Sequence, residues 1–450
     1  MKHKTERTII TAAPLLETEG KSPAKPELYR YWQIRILYSL TFGYAAFYLV
    51  RQNFNFALPV LVEEYGYTRM ELGYIMSFWQ VIYGVGKFVN GYYSDRSNAR
   101  QFMSIGLLLS ALTCLLMGFG SAYWFFAVVW GINAWVQSMG WPPVAKLLPR
   151  WYSPTELGTV WGIANISHQV GGAIIAALSG FIIPIYGWQS FFFLPAVASL
   201  IMAGFLFERL RDTPKSLGLD SIEVHRGLVK SESEVEDSDD DPDISPLEVV
   251  KTLASSRNLW FVCLGNMFLY IVRMGVLTWA PTFLKESKGA AFMASGLQVM
   301  GFDLAGMIGG ITAGYLSDKV FKGRRGPVSF LFMVALVGAL IYFWTVPAGH
   351  DYLNAIAMVL VGFFVYGPQV LVGVAAADFS TKKTVGMAVG VTGTFAYVGS
   401  AISGIVVGWL ADKYGWNAGF IFFIGSAVLS CICFALTWTA RAAILDKAKI

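Results

Sequence analysis

Apolar residues run along this chain in long stretches separated by short polar ones. Twelve stretches reach the ~20 mostly apolar residues that a helix needs to cross a bilayer: 31–58, 72–93, 101–120, 122–148, 158–184, 188–207, 257–284, 291–316, 327–347, 352–378, 384–412 and 416–440. The pattern predicts an all-α membrane protein with twelve transmembrane helices. Several stretches exceed the minimum length, so tilted or kinked helices are expected. One polar stretch, 208–256, is long, and it contains the acidic run from Ser231 to Asp241, which reads as a solvated, disordered linker. The expected organisation is an N-terminal tail (1–30), a six-helix bundle (31–207), the linker (208–256), a second six-helix bundle (257–440) and a C-terminal tail (441–450).

Composition excludes the soluble classes. Of 450 residues, 34 are Lys or Arg and 29 are Asp or Glu, so 14% are charged, and 55% are hydrophobic; a soluble domain carries ~25% charge. Mean hydropathy is +0.54. The net charge of +5 is spread along the chain, without a basic patch for nucleic acid. Cys114, Cys263, Cys431 and Cys433 all lie in apolar runs and read as small buried hydrophobes rather than as disulfide or zinc ligands. Met1 to Lys25 is polar, and no cleaved signal peptide is expected there.

The basic residues orient the chain. With the N-terminus in the cytoplasm, 27 Lys and Arg fall in cytoplasmic segments and 4 in outer loops, which places both termini inside by the positive-inside rule. The three left over, Arg51, Lys87 and Arg273, lie within apolar spans. Each costs about 2.5–3.5 kcal/mol at the bilayer centre on insertion scales, so each asks for a reason.

An internal repeat supplies one. Tyr48-x-Val50-Arg51 matches Tyr270-x-Val272-Arg273. Gly91-x-x-Ser94-Asp95-Arg96 matches Gly314-x-x-Ser317-Asp318-Lys319. Tyr186-Gly187-Trp188 matches Tyr414-Gly415-Trp416. Copies an even number of spans apart share their topology, so the two bundles are expected to be related by a pseudo-two-fold axis along the membrane normal, with a substrate site where they meet. Arg51 and Arg273 should then face each other. Tyr44, Tyr48 and Arg51 share one helix face, as do Tyr83 and Lys87. His168 is the one His of four within a span, and Asp303 is the deep acid. Three cations against one acid make a cavity for an anion, and two planar guanidinium forks suit a phosphate. Other readings stay open: Lys87 snorkelling to an interface, an Arg paired with Asp303, and His168 as a core residue. An empty cationic cavity is costly to close dry, so obligatory exchange of one phosphate-bearing anion for another is expected. Asp95, Arg96, Asp318 and Lys319 lie at cytoplasmic helix ends, where charged pairs could clasp the halves or simply anchor topology. No nucleophile, metal cluster or acid–base pair suggests an enzyme, and neither a metal nor a cofactor is expected.

The motif Gly91-x-x-x-Asp95-Arg96 and its echo resemble the loop motif of the major facilitator superfamily. The wider set resembles its organophosphate:phosphate antiporters, in particular the hexose-phosphate transporters and sensors: Phe42-Gly-Tyr44-Ala-Ala-Phe-Tyr48-Leu-Val-Arg51, Tyr83-Gly-x-x-Lys87-Phe, Ser94-Asp-Arg-Ser-Asn98, Gly140-Trp-Pro-Pro143, Asn165-x-x-His168, Tyr270-x-x-Arg273 with Trp279-x-Pro281, Phe321-Lys-Gly-x-Arg-Gly326 and Gly362-Phe-Phe-x-x-Gly-Pro-Gln369. The resemblance implies that Arg51 and Arg273 grip the phosphate, that Lys87 and His168 assist, and that Tyr44, Tyr48 and Tyr83 line the pocket. It implies exchange of a sugar phosphate, glucose 6-phosphate above all, for inorganic phosphate. A glycerol-3-phosphate antiporter and a membrane receptor for external hexose phosphate are the alternatives. A monomer in a bacterial inner membrane is expected. Three positions depart from the family pattern. Gln52 stands where relatives carry Lys, Thr278 where they carry an acid, and Ala164 where they carry Trp, a change expected to enlarge the pocket. Asn266, Gln369 and Thr392 are candidates for sugar recognition.

Overall fold

The structure is a computed structural model that describes residues 25–227, 256–379 and 385–440. The acidic run, the pair Lys382 and Lys383, residues 1–24 of the N-terminal tail and the C-terminal tail from 441 lie outside these residues, and 25–30, expected as tail, begin the first helix. Every apolar stretch falls on helix. In chain order the helices are α1 (Lys25–Leu49), α2 (Asn53–Tyr65), α3 (Arg69–Arg96), α4 (Ala99–Met117), α5 (Tyr123–Gln137), α6 (Trp141–Trp151), α7 (Pro154–Arg209), the short α8 (Ile222–His225), α9 (Arg257–Lys288), α10 (Phe292–Tyr315), α11 (Arg325–Thr345), α12 (Asp351–Asp378), α13 (Val385–Tyr414) and α14 (Trp416–Ala435). Among the described residues, eight helices are long and apolar enough to cross a membrane. The first and fourth stretches are each split into two shorter helices, and α3 carries Gln80, Lys87 and Asn90 along its length.

The fifth and sixth stretches form one 56-residue element, α7, bent at Gly187 (φ 80, ψ 164). Gly415, its repeat partner between α13 and α14, has φ 78 and ψ 173. Both copies of Tyr-Gly-Trp therefore adopt the same conformation, one open only to glycine. The repeat seen in the residues is a repeat in the backbone.

Within the first set of helices α1 and α4 pack on α7, and α3 and α4 pack on α5. Within the second, α10 packs on α12, α9 on α13 and α14, and α11 on α12 and α14. The two sets meet chiefly along α3 with α13 and α7 with α10. Small residues let these backbones touch: a Cβ on Gly73 would lie 2.4 Å from the Gly404 carbonyl oxygen, and one on Gly296 would lie 2.3 Å from that of Ala176. Lipid tails are as apolar as leucine, so such close packing, rather than water exclusion, holds spans together. After α7 the chain turns back onto α1. Ile222 and Leu219 are buried, and His225 stacks on Tyr29 at 3.9 Å. The polar linker expected from 208 onward is thus docked as far as residue 227, because its leucines and Ile222 find apolar cover.

Replacing Gly187 or Gly415 by Ala is expected to lower thermal stability in detergent by about 1–3 kcal/mol, the cost of forcing a side chain into that backbone region. Gly314→Ala, on α10 with open space around it, should cost nothing. Melting curves of the three variants check this.

Candidate functional site

Arg51 sits in the gap between α1 and α2, a break that contains neither Gly nor Pro. The carbonyls freed there are met from α5: Gln137 Nε2 donates to Phe47 O (3.0 Å) and Val50 O (3.4 Å), and Asn133 Nδ2 donates to Val50 O (3.4 Å). A broken span survives in lipid only where neighbours satisfy its backbone, and these two amides do so. Its repeat partner Arg273 sits instead in the middle of the unbroken α9.

Both guanidiniums are buried (Arg51 9% and Arg273 3% exposed). Arg51 Cζ lies 4.2, 4.7 and 5.0 Å from the ring centres of Tyr83, Trp79 and Tyr48. Arg273 Cζ lies 4.6 Å from Tyr366 and 5.4 Å from Tyr270. Desolvated cation–π contacts of this kind contribute about 2 kcal/mol or more. Arg273 Nη2 also donates to Tyr366 Oη (3.1 Å), and that hydroxyl donates to Asp303 Oδ1 (2.7 Å). Asp303 therefore reaches Arg273 through a tyrosine rather than directly. Among the described residues no carboxylate pairs with Arg51, Lys87 or Arg273. Stacked aromatic rings hold the cations and leave their charge unneutralised.

Between the two sets of helices lies a cavity of ≈ 210 Å³. All seven expected residues line it: Tyr44, Tyr48, Arg51, Tyr83, Lys87, His168 and Arg273. Lys87 does not snorkel away; its Nζ lies 5.2 and 5.7 Å from the ring centres of Tyr397 and Tyr83. The His168 ring is flanked by Tyr48 (5.7 Å) and Tyr366 (6.3 Å). The remaining wall is Trp141, Asn165, Tyr270, Met274, Gln369 and Tyr397. Tyr270 was visible as the repeat partner of Tyr48, and Asn165 as part of the His168 motif. Tyr397 carried no signal, because its role depends on the rotation of α13 against α3, where it meets Tyr83 at 5.2 Å. Of the sugar-recognition candidates only Gln369 lines the cavity. Asn266 Nδ2 donates to Thr392 O (2.9 Å), tying α9 to α13. Ala164 is buried (1% exposed) and absent from the cavity wall, so it does not enlarge the pocket.

Among the described side chains, the motif charges make no ion pair between the halves. Asp318 pairs with Arg325 of its own set, and Arg96 lies over Tyr92 at 3.6 Å. Lys319 is exposed in the π-turn after α10, and the Asp95 side chain lies outside the described residues. At the opposite end of the molecule, three ion pairs absent from the sequence expectations do cross between the sets. Arg69 at the start of α3 binds Glu286 (2.7 Å) and Asp412 (2.9 Å), and Lys285 binds Glu63 (2.5 Å). The cavity is therefore latched on the face away from the start of α1. The distance along the sequence between these partners is what hid them.

A helical membrane protein with an unneutralised cationic cavity between two repeated sets of spans is a transporter, not an enzyme. The sequence profile of the Major Facilitator Superfamily matches residues 40–373, and the chain belongs to that superfamily; its relatives are those of the organophosphate:phosphate antiporter family. It is 40% identical over 432 residues to the "Probable hexose phosphate transport protein" of Chlamydia pneumoniae (94% of this chain, 95% of the relative). It is 37% identical over 419 residues to the glycerol-3-phosphate transporter of Bacillus subtilis (91% and 93%), and 34% identical over 421 residues to the membrane sensor protein UhpC of Escherichia coli (93% and 94%). A bacterial homologue of the human lysosomal transporter Spinster, solved inward-facing and unoccupied, shares the fold (TM-score 0.70, 14% identity, covering 93% of this chain and 96% of that one).

Removing the latch should free the far face. In the double variant Glu286→Gln/Asp412→Asn, a cysteine placed at Met76 is expected to react several-fold faster with a membrane-impermeant thiol reagent than in the single variant Met76→Cys. Unchanged labelling would remove the latch role.

Proposed function

We propose that the protein exchanges a hexose phosphate, glucose 6-phosphate in the first instance, for inorganic phosphate across a bacterial inner membrane by alternating access. The observation that carries this reading is the pair of buried guanidiniums, one from each set of helices, on one cavity, with no carboxylate among the described residues paired to either. A phosphate bound there receives donors from Arg51 and Arg273, whose planar forks match its oxygens. Lys87 adds charge, His168 adds a ring nitrogen, and Tyr44, Tyr48 and Tyr83 contribute hydroxyls and aromatic walls.

The two bundles, 31–207 and 257–440, act as the moving bodies, with both termini cytoplasmic. The latch through Arg69 and Lys285 then lies on the outer face, and the cavity faces inward. Rocking breaks the latch and opens the other side. With the site empty, closure would enclose several like charges in a dry space; a bound phosphate ester or phosphate dianion offsets them. Reorientation is fast loaded and slow empty, which makes exchange obligatory. One copy of the chain suffices, and the chemistry calls for no cofactor. A receptor of the same fold is the second reading, favoured by the 34% identity to a membrane sensor protein.

Proteoliposomes loaded with phosphate should take up labelled glucose 6-phosphate, and those without counter-substrate should not. Specific binding without flux favours the receptor. Equal uptake with and without phosphate removes obligatory exchange. Arg51→Lys and Arg273→Lys, each lacking one arm of the fork, are each expected to slow phosphate exchange roughly 10- to 100-fold. Near-normal exchange in either would reassign that Arg to a structural role.

A further inference from the structure

A second chamber, of ≈ 30 Å³, lies beyond the guanidiniums on the latched side. Tyr48, Arg51, Arg273 and Met274 line both cavities and form the partition between them. The position follows from the helices. On α3 the main cavity takes Tyr83 and Lys87, and the chamber takes Met76 and Gln80, one to three turns closer to Arg69. On α9 the chamber takes Leu277 and Thr278, one turn past Arg273.

The four polar side chains peculiar to the chamber, Gln52, Asn55, Gln80 and Thr278, are all neutral. Asn55 and Gln80 are each only 7% exposed, yet Asn55 Oδ1 and Gln80 Oε1 have no hydrogen-bond partner. Two donors on residues of the same wall, Trp130 Nε1 and Arg273 Nε, also have none. A buried polar atom left unpaired costs about 1–3 kcal/mol, and four such atoms belong to residues that line this one small space, which points to an occupant. Amide oxygens repel an anion, the guanidiniums repel a cation, and an apolar group would strand all four atoms. A hydroxyl both donates and accepts, and the volume holds about two groups of that size.

We propose that this chamber is a hydroxyl-recognition subsite for the organophosphate, one that inorganic phosphate held on the guanidiniums does not reach. The inference rests on the exchange reading above and adds a specificity determinant to it. Water shares the hydroxyl's chemistry, so the test separates the two. KM for glucose 6-phosphate and for inorganic phosphate is measured for wild type, Gln80→Met and the near-isosteric Thr278→Val, with a series of singly deoxygenated hexose phosphates as probes. The expected result is at least a tenfold rise in KM for the hexose phosphate with less than a twofold change for phosphate. One deoxy analogue should also show a loss in wild type that disappears in the variant, the coupling expected of a contact. Equal changes for both substrates, no change, or no coupled hydroxyl would overturn the subsite and leave water as the occupant. If Gln80→Met abolishes both exchanges, Thr278→Val decides by the same criteria. Wild-type protein that exchanges neither substrate removes the parent reading instead.

Discussion

Two guanidiniums buried in a low-dielectric interior, with no carboxylate among the described residues to pair them, constrain everything else in this molecule. The cost of burying such charges is several kcal/mol each. An ion pair would lower that cost but consume the charge. Here Tyr48, Trp79 and Tyr83 enclose Arg51, and Tyr270 and Tyr366 enclose Arg273. Ring quadrupoles stabilise a cation while leaving it able to bind an anion. Among the described residues, Asp303 is held a residue away from Arg273 behind Tyr366, so it does not occupy the guanidinium. The repeated arginines are thus chemically unequal: Arg51 sits in a helix break within an aromatic box, and Arg273 sits mid-helix on a hydrogen-bonded relay.

The packing around the site follows from what lipid permits. Close approach at Gly73 with Gly404 and at Gly296 with Ala176 draws α3 to α13 and α7 to α10, and these seams place Tyr83 beside Tyr397 and hold the walls of the cavity. Backbone contact of this kind slides and tilts more readily than interlocked large side chains. Among the described residues, the ion pairs that cross between the sets lie at one end, at Arg69 and Lys285. At the other end the pairs Arg150–Asp212 and Arg325–Asp378 stay within a set. Ion pairs thus join the two sets at one end, while those at the other end brace each set by itself.

Relatives carry both transporter and sensor names. Beside the main cavity lies the small chamber, whose wall adds the neutral side chains Gln52, Asn55, Gln80 and Thr278 to the shared Arg51 and Arg273.

Hydropathy determined the membrane class and the helical stretches, because a bilayer demands long apolar helices whatever their packing. The repeat motifs determined the pairing of Arg51 with Arg273, and spacing on single helices brought Tyr44, Tyr48, Tyr83 and Lys87 to the cavity, since a helix fixes which residues share a face. Three-dimensional packing decided the rest. The break at Arg51 has no Gly or Pro to announce it and exists because Gln137 and Asn133 on α5 take up the freed carbonyls. The charges expected to clasp the halves, Arg96 and Asp318, pair or stack locally, while the clasp falls to Arg69, Lys285 and acids up to 343 residues away. Tyr397, Tyr366 and the small chamber depend on how one helix is rotated against another. That rotation is a property of side chains meeting across helices, which no periodicity within a single helix encodes.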